Sequence, residues 1–392
     1  MGNGRTLLMA GIGGVGYEML QNLCGDPGID RIVATDVATD VGQRRTNAAR
    51  FRADHLGRNP KVEFSQLDLL DLDAVVEAIE RVEPDVVHTA ATLLRYAPFE
   101  ELPEAERDRL IGFGPEGPGY ACILPGQLPL AYNVVRAAEA ADGVDPHVVN
   151  VSMPDVINPA LARAGHPPLV GSGNLGNVVP PIRQIAAEQH GVPMGDVEVY
   201  LSMAHSTAHE VLFAGTTHEM PYYLKVLVDG TDVTDGIDLD AELDRRGLPF
   251  ADEPSAREVS VLTGAVSTRI VKALLDDSGA LVHAPAPNGL EGGYPVRLDR
   301  DGAEVALPDD ITLEEAESRN RRALVRDGVE RIDDDGSIVF TDATREAIDD
   351  VLGVDLKRFA PDEALSVTEE IIAGYRAVAE RHGIEPKLRV GW

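Results

Sequence analysis

His205 is the side chain in this sequence whose type and setting best suit acid/base chemistry. It follows residues 199–204, an apolar stretch that predicts a buried strand, so it stands where a strand delivers its last side chains to a surface. The ordinary pKa of an imidazole is about 6.5, so the ring exchanges protons near neutral pH. The sequence therefore predicts a proton-transfer site at His205, and a buried structural histidine is the alternative.

Titratable side chains continue beyond His205 and raise the question of a metal site. Two histidines four positions apart put both rings on one face only if the segment is helical, and residues 206–208 fit the start of a loop at least as well. Cys24 and Cys122 lie far from this segment and offer it no ligand. We therefore predict no metal, and a polar cleft wall formed by His209, Glu210, His218 and Glu219.

A glycine-rich segment near the N-terminus has the spacing of a phosphate-binding turn. An apolar run at residues 7–10 predicts a strand before it, an amphipathic helix follows it, and a second strand at residues 31–35 comes next. In such a GxGxxG turn the glycines permit a tight turn, close approach of a pyrophosphate and close packing of the helix on the sheet. The predicted binding residues are Gly11, Ile12, Gly13, Gly14, Val15 and Gly16.

Asp36 ends the second strand, 20 residues after Gly16, at the distance where an acid can bind the ribose hydroxyls of adenosine. A carboxylate there would repel a 2′-phosphate, so the sequence predicts NAD rather than NADP as the cofactor. Asp68, at the end of a later strand, is a second acid that could contact the adenine. An acid in a surface turn explains Asp68 equally well.

The elements that position these residues alternate between strand and helix up to about residue 155. Further strands are predicted at residues 62–67, 84–90 and 146–151, and the alternation indicates an α/β fold with a Rossmann-type, doubly wound parallel sheet. Residues 91–124 form a longer connection rich in Glu, Pro and Gly, of the kind that often serves as a lid or a binding loop.

Composition limits the classes of partner. The chain has 392 residues, enough for two domains with separate cores. Its net charge of −31 disfavours nucleic acid and anionic membranes. No uninterrupted apolar stretch reaches about 18 residues. The two cysteines make neither a disulfide framework nor a zinc site. We expect a cytoplasmic protein that acts on a small molecule and binds neither membrane nor nucleic acid.

Several motifs, loose individually but in a consistent order, carry a resemblance to a known family. They lie at residues 148–156, 169–175, 186–192 and 199–205, and the likeness resumes at 264–275, 286–296 and 307–321. In this order and spacing the chain resembles the NAD-dependent lactate and malate dehydrogenase superfamily over residues 5–325. The resemblance implies an NAD-binding domain at residues 1–155, a second, α+β catalytic domain at 156–325, and association into a homo-oligomer, a dimer or a tetramer.

The resemblance also assigns roles to single residues. His205 matches the catalytic histidine, which exchanges a proton with the substrate hydroxyl while a hydride passes to the nicotinamide. Arg95 falls near the arginine of the family's mobile loop, which polarises the substrate carbonyl or grips its anion. Thr89 and Ala90 would line the cofactor cleft.

Three departures from the family pattern bear on the substrate. Gly176 replaces the aspartate that orients the histidine, Val179 or a neighbour replaces the arginine that clamps a carboxylate, and Met153 replaces an asparagine. We therefore expect a secondary alcohol or carbonyl compound other than lactate or malate. Asn174 or Asn177 would orient His205 instead. Arg183 is either a displaced anion anchor or a residue of the helix surface.

Two other functions remain open from the sequence. The strand ends near residues 66–68 and 85–91 also look like those of extended short-chain dehydrogenases and epimerases. That chemistry needs a tyrosine with lysine four residues later, and none of the nine tyrosines has one. A non-catalytic NAD-binding sensor or scaffold is the other alternative, since so many substrate positions are changed.

Residues 326–392 extend beyond the resemblance. They predict a turn at 333–336, a short strand at 337–340, a helix at about 343–352 and an amphipathic helix at about 361–382. We expect this extension to pack on the catalytic domain or to form an oligomer interface.

Overall fold

The central element of the computed structural model, which describes residues 5–26, 28–112, 118–246 and 257–388, is a six-stranded parallel sheet. The strand order is β3-β2-β1-β4-β5-β6, and each neighbouring pair runs parallel. The strands are β1 (Thr6–Ala10), β2 (Arg31–Asp36), β3 (Lys61–Gln66), β4 (Val86–Thr89), β5 (His147–Asn150) and β6 (Val170–Gly171).

Helices cover both faces of this sheet. Successive residues of β1 point to opposite sides, so Leu7 and Met9 enter one buried apolar cluster and Leu8 and Ala10 enter another. The helices that follow the first four strands are α1 (Gly14–Cys24), α2 (Thr39–His55), α3 (Leu72–Val82), α4 (Ala97–Glu100), α5 (Glu104–Ile111) and α6 (Leu124–Ala140). This arrangement confirms the predicted Rossmann-type sheet.

The remaining helices begin near the sheet or belong to the second half of the chain. They are α7 (Pro154–Arg163), α8 (Asn174–His190), α9 (His205–Phe213), α10 (Leu239–Arg246), α11 (Arg257–Leu275), α12 (Leu313–Ala323), α13 (Asp342–Leu352) and α14 (Ala364–Arg381). Short 3-10 turns occur at Ala121–Ile123, Met194–Asp196, Thr234–Gly236, Pro287–Gly289 and Leu324–Asp327.

Two antiparallel three-stranded sheets form the second part of the fold. A backbone bridge between Met203 and Gly293 joins them. The first sheet contains β7 (Val197–Ser202), β8 (Tyr223–Val228) and β9 (Thr231–Asp232), and the second contains β10 (Ala280–Pro285), β11 (Gly293–Asp299) and β12 (Gly302–Val305). Strand β6 pairs with β5, so it belongs to the parallel sheet. The sheet therefore extends beyond residue 155, where the first domain was predicted to end.

The C-terminal segment forms a third antiparallel sheet, of strands β13 (Val329–Ile332), β14 (Ile338–Phe340) and β15 (Arg358–Phe359), with α13 and α14 beside it. Both predicted helices are confirmed. The segment packs on residues 156–325, as expected, because Asp327 contacts His205 and Ile332 of β13 accepts a hydrogen bond from Arg163 of α7. It also packs on the first domain, where α14 lies against α6 and α13 against α5. Phe99 and Tyr375 meet there with ring centroids 5.2 Å apart. An oligomer interface on this segment stays a prediction.

A bilayer-spanning helix is not found in the described part of the chain, where no helix combines the necessary length and apolar character.

Candidate active site

The glycine turn between β1 and α1 has the geometry of an open cradle. Gly11 has φ +96°, and a Cβ there would lie 2.8 Å from the Ala91 Cβ, so only glycine fits. A Cβ on Gly16 would overlap the Gly11 carbonyl oxygen. Gly13 differs, because a Cβ there would meet no heavy atom within 4 Å. The N-terminus of α1 carries no side-chain cap, so its N–H groups face the open side of the turn.

Asp36 lies beside this turn at the end of β2. Its carboxylate accepts the Ile12 N–H at 3.3 Å and the Ala38 N–H at 3.0 Å, which fixes the acid next to the cradle. The Arg45 guanidinium donates to the Ile12 carbonyl oxygen at 2.6 Å from the other side. Asp68 is exposed and accepts the N–H of Leu70 at 2.9 Å, which is the bonding of a surface turn.

Thr89 and Ala90 end β4 beside the glycine turn. Thr89 is fully buried, and the Ala90 N–H donates to the Ala10 carbonyl oxygen at 2.9 Å, so the two strands end together at one edge. This carboxyl edge is where open α/β sheets bind ligands. The structure thus brings Asp36, Thr89 and Ala90 to the same edge as the glycines.

His205 is the first residue of α9, and its ring is paired with a carboxylate. The Nδ1 atom lies 2.8 Å from Oδ1 of Asp327, which is itself fully buried, while His205 is 8% exposed. Asp327 ends the 3-10 turn Leu324–Asp327. Gly328 then has φ +77°, and a Cβ there would overlap the Pro118 carbonyl oxygen, so glycine is needed to hold Asp327 in place.

The charge of Asp327 decides the protonation behaviour of His205. Burial by itself lowers the pKa of the imidazole, since it disfavours the cation. The negative charge of Asp327, its hydrogen bond to Nδ1 and the charge of Asp155 act in the opposite direction and outweigh burial, so the pKa of His205 is raised above its ordinary value. The Asn174 amide nitrogen lies 3.2 Å from Nε2, the ring atom opposite Asp327.

Asp155 is a second acid beside His205. It is 4% exposed, lies in the first turn of α7, and its carboxyl is close enough to the backbone N–H groups of His205 and of Asp155 itself for them to favour the charged form. Burial raises the pKa of this carboxyl to about 7, against the smaller lowering effect of the His205 charge. The Asp155 carboxyl and the Asp327 carboxyl therefore both lie close enough to His205 to influence the charge of its ring.

His205 and Asp155 line a cavity of about 150 Å³ at the carboxyl edge of the parallel sheet. Helices α7, α8 and α9 all begin at this cavity, and none has a side-chain cap, so three positive helix ends converge on it. Its described lining contains no lysine or arginine. The lining residues are Tyr120, Val151, Met153, Pro154, Asp155, Gly173, Asn174, His205, Phe213, Val259 and Thr263.

Helix α11 connects the cavity to the glycine turn. Val259 and Thr263 line the cavity. A Cβ on Gly14 would lie 2.8 Å from the Ser260 Oγ of the same helix. The acid/base pair and the cradle are therefore neighbours across one helical turn of α11.

An aromatic wall backs the histidine. The Tyr120 ring packs edge-on against His205 and His209, at 5.0 and 5.3 Å between centroids. Burial keeps the pKa of His209 well below its ordinary value. Of the two conformations that the sequence left open, a helix and a loop start, the segment adopts the helix, and the two histidine rings lie 6.2 Å apart. Within the described ranges no three His, Cys, Asp or Glu side chains form a metal-binding group.

Asn177 does not orient His205, since its amide donates to Thr263 Oγ1 at 3.2 Å. At Gly176 a Cβ would lie 2.6 Å from Cγ1 of Val266, so no acid fits there. The sequence did not reveal Asp327. This residue lies in the segment beyond the resemblance and makes the contact with His205 that the resemblance assigned to an aspartate at position 176. Asp155 was also missed, although it stands directly after the Met153-Pro154 pair that ends the β5 loop.

Two arginines lie away from the cavity. Arg95 is exposed in the loop after β4 and does not line the cavity, so its role stays a prediction. Arg183 lines a separate cavity of about 50 Å³ with Arg269 and His283, which does not fit a displaced anchor for a substrate anion. Burial and the nearby charge of Arg269 lower the pKa of Arg183.

Comparison with solved structures identifies the fold. Lactate dehydrogenase from Cryptosporidium parvum, in complex with lactic acid and nicotinamide adenine dinucleotide, is 16% identical, with a TM-score of 0.57 over 83% of this chain and 98% of that chain. Malate dehydrogenases from Cryptosporidium parvum and Picrophilus torridus are 14% and 16% identical, each with a TM-score of 0.56 over 96% of its own chain and 82% and 83% of this one.

No protein-family model matches the sequence, and no curated protein matches it. The structural likeness confirms the predicted lactate/malate dehydrogenase-like fold.

Proposed function

We propose that this protein is an NAD-dependent oxidoreductase that interconverts a secondary alcohol and a carbonyl compound, with His205 as the acid/base. The observation that carries the proposal is the buried His205–Asp327 pair, 2.8 Å between Nδ1 and Oδ1, set beside an open glycine cradle. An acid/base residue next to a dinucleotide cradle is the arrangement that alcohol oxidation requires.

The cradle fits NAD in this structure. Gly13 leaves room for a pyrophosphate, the uncapped start of α1 offers N–H donors to it, and Asp36 supplies a carboxylate for the ribose hydroxyls. Held by these residues, NAD⁺ would supply the hydride acceptor, so that a secondary alcohol and NAD⁺ would give a ketone, NADH and one proton.

His205 receives that proton. Asp327 accepts a hydrogen bond from Nδ1–H, so the lone pair is on Nε2. The substrate hydroxyl displaces the Asn174 amide, 3.2 Å from Nε2, and gives its proton to this lone pair. The imidazolium then formed lies against the Asp327 carboxylate, which stabilises it. In the reverse direction the same Nε2–H donates to the oxygen of the ketone as it gains charge.

The helix ends supply further electrostatic stabilisation. The starts of α7, α8 and α9 direct positive partial charge at the cavity, where the substrate oxygen becomes negative during hydride transfer. The Tyr120 ring and the buried cavity walls exclude water from the His205–Asp327 pair.

The lining also bears on the substrate. Lactate and malate carry carboxylates that need a cationic partner, and the described lining offers none. The proposed substrate is therefore a secondary alcohol or ketone other than these two acids.

Calorimetric titration with NAD⁺ and with NADP⁺, followed by an absorbance screen for NADH over alcohols, hydroxy acids and sugar derivatives, tests the proposal. We expect NAD⁺ to bind more tightly than NADP⁺. His205→Ala should keep NAD⁺ binding and lose about 10²- to 10⁴-fold in turnover. His190→Ala, at an exposed histidine at the end of α8, is the matched control and should change neither.

Failure of both nucleotides to bind would refute the cofactor assignment. Tight NAD⁺ binding without turnover of any alcohol would favour an NAD-binding sensor instead.

A further inference from the structure

We infer that Asp155 selects the substrate by accepting a hydrogen bond from a second, uncharged hydroxyl group on the carbon next to the reacting one. The substrate class is then the neutral vicinal diols and the corresponding hydroxyketones. This inference rests on the proposed function, because it names the substrate of the same site.

The first support is the placement of Asp155. Asp155 and His205 line the same cavity, and the Asp155 carboxyl lies near the backbone N–H of His205. A carboxylate has about four acceptor positions, so positions remain for a ligand beside the nearby backbone N–H groups. A diol can therefore give one hydroxyl to His205 and the neighbouring hydroxyl to Asp155.

The second support is that the acid/base pair does not need Asp155. Asp327 already accepts the hydrogen bond from Nδ1 of His205, so the orientation of the ring does not depend on Asp155. Burying a second carboxyl has a free-energy cost that raises its pKa to about 7. A buried acid that lines a ligand cavity and does not orient the histidine ring is a candidate for ligand contact.

The third support is the charge and size of the cavity. Asp155 and Asp327 are its nearby acids, and no described lining residue carries a permanent positive charge. A carboxylate on the substrate would be desolvated beside Asp155 without a cation to pair with, whereas a hydroxyl can donate to it. The remaining walls are largely apolar, and a volume of about 150 Å³ admits only a small reacting group.

The test compares three small alcohols with NAD⁺: 2,3-butanediol, 2-butanol, which lacks the second hydroxyl, and lactate, which has a carboxylate in its place. We expect kcat/KM for the diol to exceed that for 2-butanol by about tenfold or more, with lactate the poorest. Asp155→Asn keeps the shape and should reduce the preference for the diol over 2-butanol to within about threefold.

Asp155→Leu removes the acceptor altogether and should abolish that preference. Melting temperature and NAD⁺ titration establish that each variant is folded. Asp349→Asn, at an exposed acid of α13, is the matched control and should keep the wild-type preference.

Two results would overturn the inference while leaving the proposed function standing. One is a wild-type preference for 2-butanol or lactate, or for alcohols without a neighbouring hydroxyl in the wider screen. The other is a diol preference that survives in both folded Asp155 variants. If no alcohol of any class is oxidised, the proposed function fails and the inference fails with it.

Discussion

The glycine turn and the His205 centre are built in opposite ways. The turn is one short segment, residues 11–16, whose backbone would bind the dinucleotide in the proposed function, with Asp36 one strand away. The His205 centre is collected from separate elements: Asp155 from α7, Asn174 from α8, His205 from α9 and Asp327 from the turn after α12. The first is a property of local spacing, and the second is a property of the folded chain.

The difference follows from what each site needs. Phosphate binding by backbone N–H groups requires particular dihedral angles in consecutive residues, so the glycines cannot be dispersed. An imidazole requires only a carboxylate oxygen within hydrogen-bond distance of Nδ1, and any element that reaches it will serve. At Gly176 the space for an acid is filled by Val266, and Asp327 supplies the contact.

The largest expected effect is that of Asp327→Asn, which would break the ion pair of the His205 centre. Losing the charge that favours the imidazolium should reduce kcat for alcohol oxidation by about 10²- to 10⁴-fold. Oxidation needs neutral His205, so in the wild type kcat rises with pH through a pKa above the ordinary value. In Asp327→Asn, burial has the dominant effect on the pKa of His205 and lowers it. The rise of kcat with pH should therefore occur at lower pH than in the wild type.

The pH profile of kcat, with NAD⁺ saturating, measures both effects. Asp333→Asn, in the C-terminal turn, is the control and should leave the profile unchanged. A plateau rate within threefold of wild type in Asp327→Asn would show that the pair is structural only.

The next largest effect is expected at the glycine turn. In Gly13→Val the new side chain points into open space, so the fold should keep its melting temperature while the side chain blocks the pyrophosphate. We expect NAD⁺ affinity to fall by about 1–3 kcal/mol, or roughly 5- to 150-fold. Calorimetric titration measures the loss, and Gly195→Val, also at an open glycine, is the control. Unchanged affinity would mean that the cofactor does not lie on this turn.

The smallest effect on activity is expected when the acid is moved back to position 176. Gly176→Asp added to Asp327→Asn should recover less than about threefold of the lost kcat, since Val266 occupies the space that the aspartate needs. Overpacking should lower the free energy of unfolding by about 1–3 kcal/mol, measured by denaturant titration. Val266→Ala in the same background should relieve the overpacking. Full recovery of kcat without Val266→Ala would contradict the claim that Val266 leaves no space for an acid at position 176.

The two sites also differ in how far the sequence revealed them. The glycine turn, Asp36, the order of strands and helices around the parallel sheet and the helices at α13 and α14 follow from local periodicity and spacing. His205 could be singled out because it follows the β7 segment. Its partner could not, since Asp327 is 122 residues further on and no local pattern relates the two.

Other errors have the same origin. Asn177 was close in sequence to the replaced acid, but on α8 it points to Thr263 instead of His205. The C-terminal extension was expected to pack on the catalytic domain or at an oligomer interface, and its helix α14 lies against α6 of the first domain and against α13. Contacts between distant elements depend on tertiary packing, which a one-dimensional pattern does not encode. The roles of Arg95 and Asn174 stay predictions.

The position of Asp327 also affects when the protein can become active during its synthesis. Translation supplies residues in order at about 5–20 per second, so the acid follows its histidine by roughly 6–24 s. Over that interval the nascent chain already contains the glycine turn, Asp36 and His205, but it lacks the Asp327 carboxylate. In the proposed function, the residues assigned to the dinucleotide are therefore synthesised before the acid/base pair is complete.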